Sequence, residues 1–374
     1  MAKKTAIVIG AGIVGLATAR SLAIRGYGVR VYERNQRASG ASVRNFGMVW
    51  PIGQPSGILY ERAIASRDCW KEIGNSGGLW FDPVGSLHLA YHDDEWQVIQ
   101  ELFELFRKQG RHVELLNKEQ VIQKSNIANE RNCKGGLYSH DEIIVDPREA
   151  ISFLPEYFRE TLGIGFHWGK TVTAVRTGSI SVGSDTAEAD LVFICSGSDF
   201  ETLYPAVYAK YPLTKCKLQM MRLVEEGLGR IGPALCGGLS LIHYTSFKEA
   251  PSLEILKRRY MEDMPEYLNW GIHVMVSQNQ PGQLTVGDSH EYGLSPDPFD
   301  RKFINDMILK YLHQFCSLKK TDLTETWNGV YGKLTDGKTE IFDSPEPGVY
   351  IINAVGGAGM TTSFGLAEEL ISSL

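Results

Sequence analysis

Ala6-Ile7-Val8-Ile9-Gly10-Ala11-Gly12-Ile13-Val14-Gly15, followed by Val29-Arg30-Val31-Tyr32-Glu33, is the stretch on which the reading of this chain turns. Ala6 to Ile9 is a short β-branched run of the kind that makes a buried parallel strand. It feeds a glycine turn and then a helical stretch from Leu16 to Arg25, whose Leu16, Ala19, Ala23 and Ile24 share one face. Gly26-Tyr27-Gly28 stops that helix, Val29 to Tyr32 makes a second strand, and Glu33 closes it. Strand, glycine turn, helix, strand and acid together form the dinucleotide-binding fingerprint in its proper context. Gly10 permits the tight turn, Gly12 lets the backbone approach a pyrophosphate, and Gly15 lets helix and strand pack closely. Ile13 and Val14 open the helix, whose free N–H groups and positive dipole end face the phosphates. Glu33 accepts hydrogen bonds from ribose hydroxyls, and its charge repels a 2′-phosphate.

Gly227-Leu228-Gly229-Arg230-Ile231-Gly232 fits the same glycine pattern by letter. Pro233 follows it, Gly237-Gly238 breaks any helix, and no second strand with a terminal acid comes after. It reads as a loop between strands, so no second nucleotide fold is visible.

Composition narrows the remaining classes. Of 374 residues, 43% are hydrophobic and 22% charged, which excludes a disordered tail, a collagen-like repeat and a disulfide scaffold. The 38 Lys+Arg against 44 Asp+Glu leave a net charge of -6, which offers no general attraction to nucleic acid or anionic lipid. A tRNA-modifying or purely binding role therefore has no basic run behind it. Six cysteines (Cys69, Cys133, Cys195, Cys216, Cys236, Cys316) include no CxxC pair, so no metal site is expected and a reducing compartment fits. The apolar run before Gly10 is shorter than the about 7–15 residues of a secretory core or the about 20 of a membrane span. The expectation is a cytoplasmic protein without a membrane span.

The chain end supplies a second glycine turn. Gly348-Val349-Tyr350-Ile351-Ile352-Asn353 reads as a strand, followed by Gly356-Gly357-Ala358-Gly359-Met360-Thr361 and a helix from about Ser363. Such a turn presents N–H groups and a dipole end to developing negative charge. After Glu33 come Arg34 and the small-residue loop Ser39-Gly40-Ala41-Ser42-Val43-Arg44-Asn45-Phe46-Gly47-Met48, suited to running along an extended dinucleotide. In the middle, Thr171 to Val175 reads as a strand, and Asp190 to Gly197 as another that ends on Ser196-Gly197.

At these residues the chain resembles the D-amino-acid-oxidase-like FAD-dependent oxidoreductases, near glycine and sarcosine oxidases. Arg44-Asn45-Phe46-Gly47-Met48 and Cys216-Lys217-Leu218-Gln219-Met220-Met221-Arg222 resemble a subgroup associated with phosphonate catabolism. The resemblance implies an α/β architecture, a Rossmann-like FAD domain interleaved with an α+β substrate domain on a mainly antiparallel sheet. The FAD part would take 1–84, 140–212 and 326–374, the substrate part 85–139 and 213–325. It implies non-covalent FAD, since Gly329 to Asp336 holds no cysteine where relatives attach theirs. It places Val172 at the adenine, and Gly10 to Gly15, Glu33, Arg34, Ser42, Arg44, Asn45, Gly47, Met48, Ser196, Gly197 and Gly356 to Thr361 around the cofactor.

The implied activity is oxidation of an amine C–N bond by hydride transfer to flavin N5, with O₂ or another acceptor taking the electrons. The alternative is an ordinary amino-acid or N-methyl-amino-acid enzyme of the glycine or sarcosine type, and a nicotinamide-linked dehydrogenase is a third reading. Where amino-acid oxidases of the family hold a carboxylate-binding Arg, this chain has Tyr331, with Lys333 beyond it. That departure turns the expectation toward another anionic group, such as phosphonate, with Lys333, Tyr331, Arg222, His243, Tyr244 and Asn45 as substrate-binding candidates. His273 is a further pocket candidate. Thr285 falls where sarcosine oxidases place the lysine that promotes O₂ reaction, so oxidase and dehydrogenase both stay open. His88 and His92 lack the acid of a HExxH motif and read as structural or exposed.

Helices are expected over Asp93–Arg111, over Pro147–Leu162 with Asp146 as N-cap, and from Pro296 to about Phe315. Leu218–Val224, His273–Ser277 and Gln283–Gly287 read as strands.

Overall fold

A computed structural model describes residues 3–374. Strand β1 (Thr5–Ile9) is buried on both faces, leads into helix α1 (Ile13–Ile24), and pairs in parallel with β2 (Gly28–Glu33). The register sets Ala6 against Val29 and Ile9 against Tyr32, which brings the glycine turn beside the end of β2. Gly165–Trp168 continues the sheet beyond β2. On the other side lie Leu191–Ile194, Val349–Asn353 and an antiparallel edge strand, Ile341–Glu346, completing six strands. Remote segments thus end at one sheet edge, where the crevice of an open α/β sheet takes its ligand.

A second, nine-stranded sheet is mostly antiparallel. Its long strands are β3 (Leu213–Val224) and β5 (Asp322–Leu334), paired from Leu213↔Leu334 to Val224↔Asp322, with β4 (Leu284–Gly287) on the other side of β3. Strand β5 runs unbroken through residue 326, so the boundary expected there falls inside an element. The strand expected from Leu218 begins five residues earlier, because β5 pairs with it along its whole length.

Other expectations meet the structure closely. Pro147–Leu162 is a helix with those bounds, and the Asp146 carboxylate accepts from the Arg148 N–H at 3.0 Å. The Gly227–Gly232 segment is a loop between strands, with φ positive at Gly227, Gly229 and Gly232. The helix expected from Pro296 starts only at Lys302. Pro298 disfavours helical geometry in the residue before it, and the Arg301 N–H is tied to Gln219 Oε1 at 2.9 Å. His92 is the N-cap of helix Asp93–Lys108, whereas His88 is fully buried in strand Ser86–Ala90. All six cysteines are buried and unpaired. Among the described residues, no helix is long and apolar enough to cross a membrane.

Candidate active site

One cavity of about 1160 Å³ runs from the glycine turn after β1 to the face of the second sheet. Ligand sites are typically about 300–1,000 Å³, so there is room here for a dinucleotide and a small second molecule. The wall at one end is built by the fingerprint. A Cβ on Gly10, where φ is +104°, would lie 2.3 Å from the Cys195 carbonyl oxygen, and one on Gly12 would lie 3.0 Å from Ser42 Oγ. The turn is therefore bare backbone against the cavity. The Ile13 N–H donates to Ser42 Oγ at 3.0 Å, and Gly12 itself offers no side-chain cap. Glu33 Oε2 accepts from the Ala11 N–H and Oε1 from the Asn35 N–H, each at 3.0 Å, which fixes the carboxylate at the cavity rim with lone pairs to spare.

The C-terminal turn forms a second wall. Helix α2 (Gly359–Ser372) opens there with no side-chain cap and no acid in its first turn, so its positive end is uncompensated. Trp70 Nε1 donates to the Met360 carbonyl and the Trp50 N–H to Thr361 Oγ1, each at 2.9 Å. Trp50, whose buried Nε1 has no partner, also lines the cavity. A glycine cradle, an acid at its rim, a second bare helix end and an orphaned indole donor fit an extended FAD.

Of the residues named from sequence, Gly10, Gly12, Ile13, Val14, Glu33, Arg34, Ser42, Arg44, Asn45, Met48, Val172, Ser196, Gly197 and Gly356 to Thr361 line this cavity. Gly15 and Gly47 do not. Gly15 sits one layer behind, where a Cβ would meet the Gly10 carbonyl oxygen, and Gly47 (φ +72°) turns the chain against the Val145 carbonyl. Asn45 spends its amide on its own loop: Nδ2 donates to the Ala41 and Ser42 carbonyls, and Oδ1 accepts from the Gly47 N–H. The Arg34 guanidinium pairs with Asp199 at 2.8 Å.

The substrate candidates divide. Tyr331, Lys333, His243 and Tyr244 line the cavity, and the Tyr331 hydroxyl would touch a Cβ on Gly357 at 3.3 Å. Arg222 does not reach the cavity. It is buried on β3, its guanidinium 5.7 Å from the Trp327 ring, with Nε and Nη1 unpartnered. Burial pushes its proton affinity down. Thr285 pairs with Arg222 across β3 and β4, and it too stays out of the cavity wall. Arg222 stands on the same face of β3 as the cavity-lining Thr214 and Leu218, so it is distance along the strand that takes it, and Thr285 paired with it, past the end of the cavity.

Sequence reasoning missed Asp288 and His290, which lie beyond β4 and meet His243 and His273 at the same cavity wall. His243 stacks on His273 with ring centroids 3.6 Å apart and planes at 21°, and on His290 at 4.9 Å. His273 Nδ1 lies 2.8 Å from Asp288 Oδ1, but off the line of a hydrogen bond, so both atoms lack a hydrogen-bond partner. His290 Nδ1 lies 3.0 Å from the Gly271 carbonyl oxygen, as an N–H donor would. Desolvation in the cavity wall, then repulsion from His273, His290, Lys333 and Lys248, holds His243 well below the usual imidazole range, although its ring is open to the cavity. Burial also lowers His290, against the pull of Asp288. The histidines lie far apart in sequence with no shared motif, so nothing but the fold joins them.

A family model described as "DAO: FAD dependent oxidoreductase" matches residues 5–373. Among solved structures, L-proline dehydrogenase from P. horikoshii superposes with a TM-score of 0.81 at 20% identity, covering 99% of this chain and 94% of that one. Glycine oxidase from Geobacillus kaustophilus gives 0.78 at 17% identity, over 100% and 95%. Iminodiacetate oxidase from Chelativorans sp. BNC1 gives 0.73 at 16%, over 98% and 95%. At such identities the likeness is one of fold. The tRNA 5-methylaminomethyl-2-thiouridine biosynthesis bifunctional protein of Burkholderia lata is 31% identical over 147 residues, 37% of this chain and 22% of that protein. Its counterpart in Pseudomonas paraeruginosa is 27% identical over 245 residues, 61% of this chain and 34% of that one. The matched stretches thus span only a fifth to a third of these relatives.

Proposed function

The chain belongs to the DAO family of FAD-dependent oxidoreductases, and from that premise we propose that it oxidises the C–N bond of a small amine carrying an anionic group, an aminophosphonate being the first candidate. The observation that carries this reading is the continuity of one cavity from the glycine cradle to Lys333, Tyr331, Tyr244 and His243. A molecule held by those side chains lies against the region the cofactor fills.

FAD, when bound, accepts a hydride equivalent from the carbon next to nitrogen. The chain's part is alignment, dryness and charge. Glu33 and the bare turn at Gly10 to Val14 would hold the ribose and pyrophosphate. The uncapped N-terminus of α2 supplies a positive dipole end for negative charge gathered on the ring system. Trp50, Phe46 and Met48, buried at the cavity wall, exclude water. Lys333 is the ammonium on the substrate side and stands over the Tyr292 ring at 5.4 Å. Tyr331, whose hydroxyl burial keeps protonated, is a donor for an oxyanion. With no cysteine in Gly329 to Asp336, the cofactor is expected to be non-covalent and to be released on denaturation.

A glycine- or sarcosine-type substrate remains the second reading, favoured by the fold likeness to glycine oxidase. An anaerobic titration separates the two. Bleaching of the flavin band by 2-aminoethylphosphonate, with glycine and sarcosine inert, supports the first. Bleaching by glycine or sarcosine alone overturns it, and a protein that takes up no FAD overturns both.

A further inference from the structure

We propose that the imidazoles of His243, His273 and His290, together with Lys333, form a subsite for a compact dianion that draws a proton into the protein as it binds. This rests on the reading above and deepens it by assigning the place of the substrate's anionic group. The three rings form one cluster at the cavity wall, His243 stacking on the other two, which are tilted by 43° to each other, with a ligating atom from each within 4.8 Å of the others. Lys333 approaches from β5, and Lys248 from the turn that follows His243. Tyr244 and Tyr292 pack against the rings, the Cys216 thiol and Tyr331 adjoin Tyr292, and Asp288 brings a carboxylate beside His273.

With no anion, protonation of His243 or His290 is disfavoured. Either ring would gain its charge in a poorly solvated wall facing the other rings and Lys333, and His243 would face Lys248 as well. A dianion reverses the sign of that field, so the cheapest response is to protonate a ring and form a charge-assisted hydrogen bond. His243 is the ring best placed to respond, being exposed into the cavity while the other two are buried. Asp288 already lends His290 some counter-charge, which leaves His243 as the ring with most to gain from the anion.

A transition-metal site is the competing use of three histidines, and the geometry opposes it. Ligands at Zn–N distances of about 2.0–2.1 Å sit roughly 3.4 Å apart with their rings radiating from the ion. Here two rings lie nearly parallel at 3.6 Å, so their in-plane lone pairs do not converge. Two nearby ammonium groups would also repel a dication.

Sulfate is the probe, because it is a dianion at every pH used, and FAD-loaded protein is the sample, so that the pyrophosphate cradle is filled. Calorimetry between about pH 6 and about pH 8, in two buffers of different ionisation heat, reads affinity and proton exchange together. The expected result is uptake of close to one proton per sulfate and a Kd that rises close to tenfold per pH unit in the upper half of that range. His243→Gln should abolish most of the uptake, while Lys333→Met should weaken binding at every pH. Sulfate binding that is absent at millimolar concentration, flat with pH, or unchanged in His243→Gln overturns the proposal, and the wild-type protein alone can deliver the first two results. One equivalent of Zn²⁺ bound through these histidines overturns it in favour of a metal site. Sulfate binding with proton uptake in a protein whose flavin no amine reduces would leave the subsite standing and sink the functional reading; the reverse pattern would do the opposite.

Discussion

Gly15 and Gly10 touch through bare backbone: a Cβ on Gly15 would stand 1.9 Å from the Gly10 carbonyl oxygen. The third glycine of the fingerprint therefore lies outside the cavity wall, yet it sets how near α1 comes to the turn that forms the wall. Gly15→Ala must push the helix away from the turn and carry its N-terminus off the phosphates. FAD affinity should fall by roughly tenfold or more, read by fluorescence titration of the apoprotein. Gly293→Ala is the control, since a Cβ there would meet nothing within 4 Å. Equal FAD affinity in both variants would refute the packing argument.

Glu142 is fully buried between the sheets' connecting segments, accepting from the Ile52 N–H at 2.8 Å and Ser86 Oγ at 3.0 Å. Burial pushes its carboxyl up to about 7. The folded state therefore binds the proton more tightly than the unfolded chain, and stability falls as pH rises from the usual carboxyl range toward 7. The loss is of order 3 kcal/mol, complete above about pH 7. Glu142→Gln should flatten that part of the profile. Urea midpoints of wild type and variant between about pH 4 and about pH 8 give the difference, and parallel profiles would contradict the placement.

His88 carries the opposite sign. It is fully buried, both ring nitrogens are unpartnered, and it packs against Trp50, Tyr244 and Phe247. Burial drives its proton affinity down to about 3, so the unfolded chain takes the proton first and stability is lost as pH falls below the usual imidazole range. His88→Leu removes two orphaned polar atoms at similar volume. Its melting temperature should exceed that of wild type, with a wider margin at about pH 5 than at about pH 8. A margin independent of pH would mean that His88 has a partner.

The fold was legible because its signals are local. Gly10, Gly12, Gly15 and Glu33 lie within one βαβ unit, and Asp146-Pro147 announces a helix start by itself. The site was legible only where it borrows those local signals. Arg222 was a pocket candidate and Thr285 the match to a family lysine, but how far along β3 and β4 the cavity extends is set by the way the two sheets dock, which no local pattern announces. His273, Asp288 and His290 come together through the pairing of β4 with Met275–Gln278 and the reciprocal backbone bonds of His273 and Asp288, and they meet His243 only in the folded chain. The helix start at Lys302 was obscured for a similar reason, since Gln219, far away in sequence, holds the Arg301 N–H.

Lys333 and Arg222, both on the second sheet, provide the sharpest comparison. Lys333 lines the cavity, whereas Arg222 is buried beside Trp327 with Asp146, Arg148 and Glu325 as its charged neighbours. If the anionic group binds where the cavity is, Lys333→Met should raise KM for 2-aminoethylphosphonate roughly tenfold with a smaller effect on kcat, the pattern of lost ground-state binding. Arg222→Met should leave KM within about twofold. It should also not destabilise the fold severely, because a buried guanidinium with two unpartnered nitrogens contributes little that an apolar side chain of similar length cannot replace. A large rise in KM for Arg222→Met, with Lys333→Met silent, would place the anion farther along β3, beyond the cavity, and overturn the assignment of the cavity's substrate end.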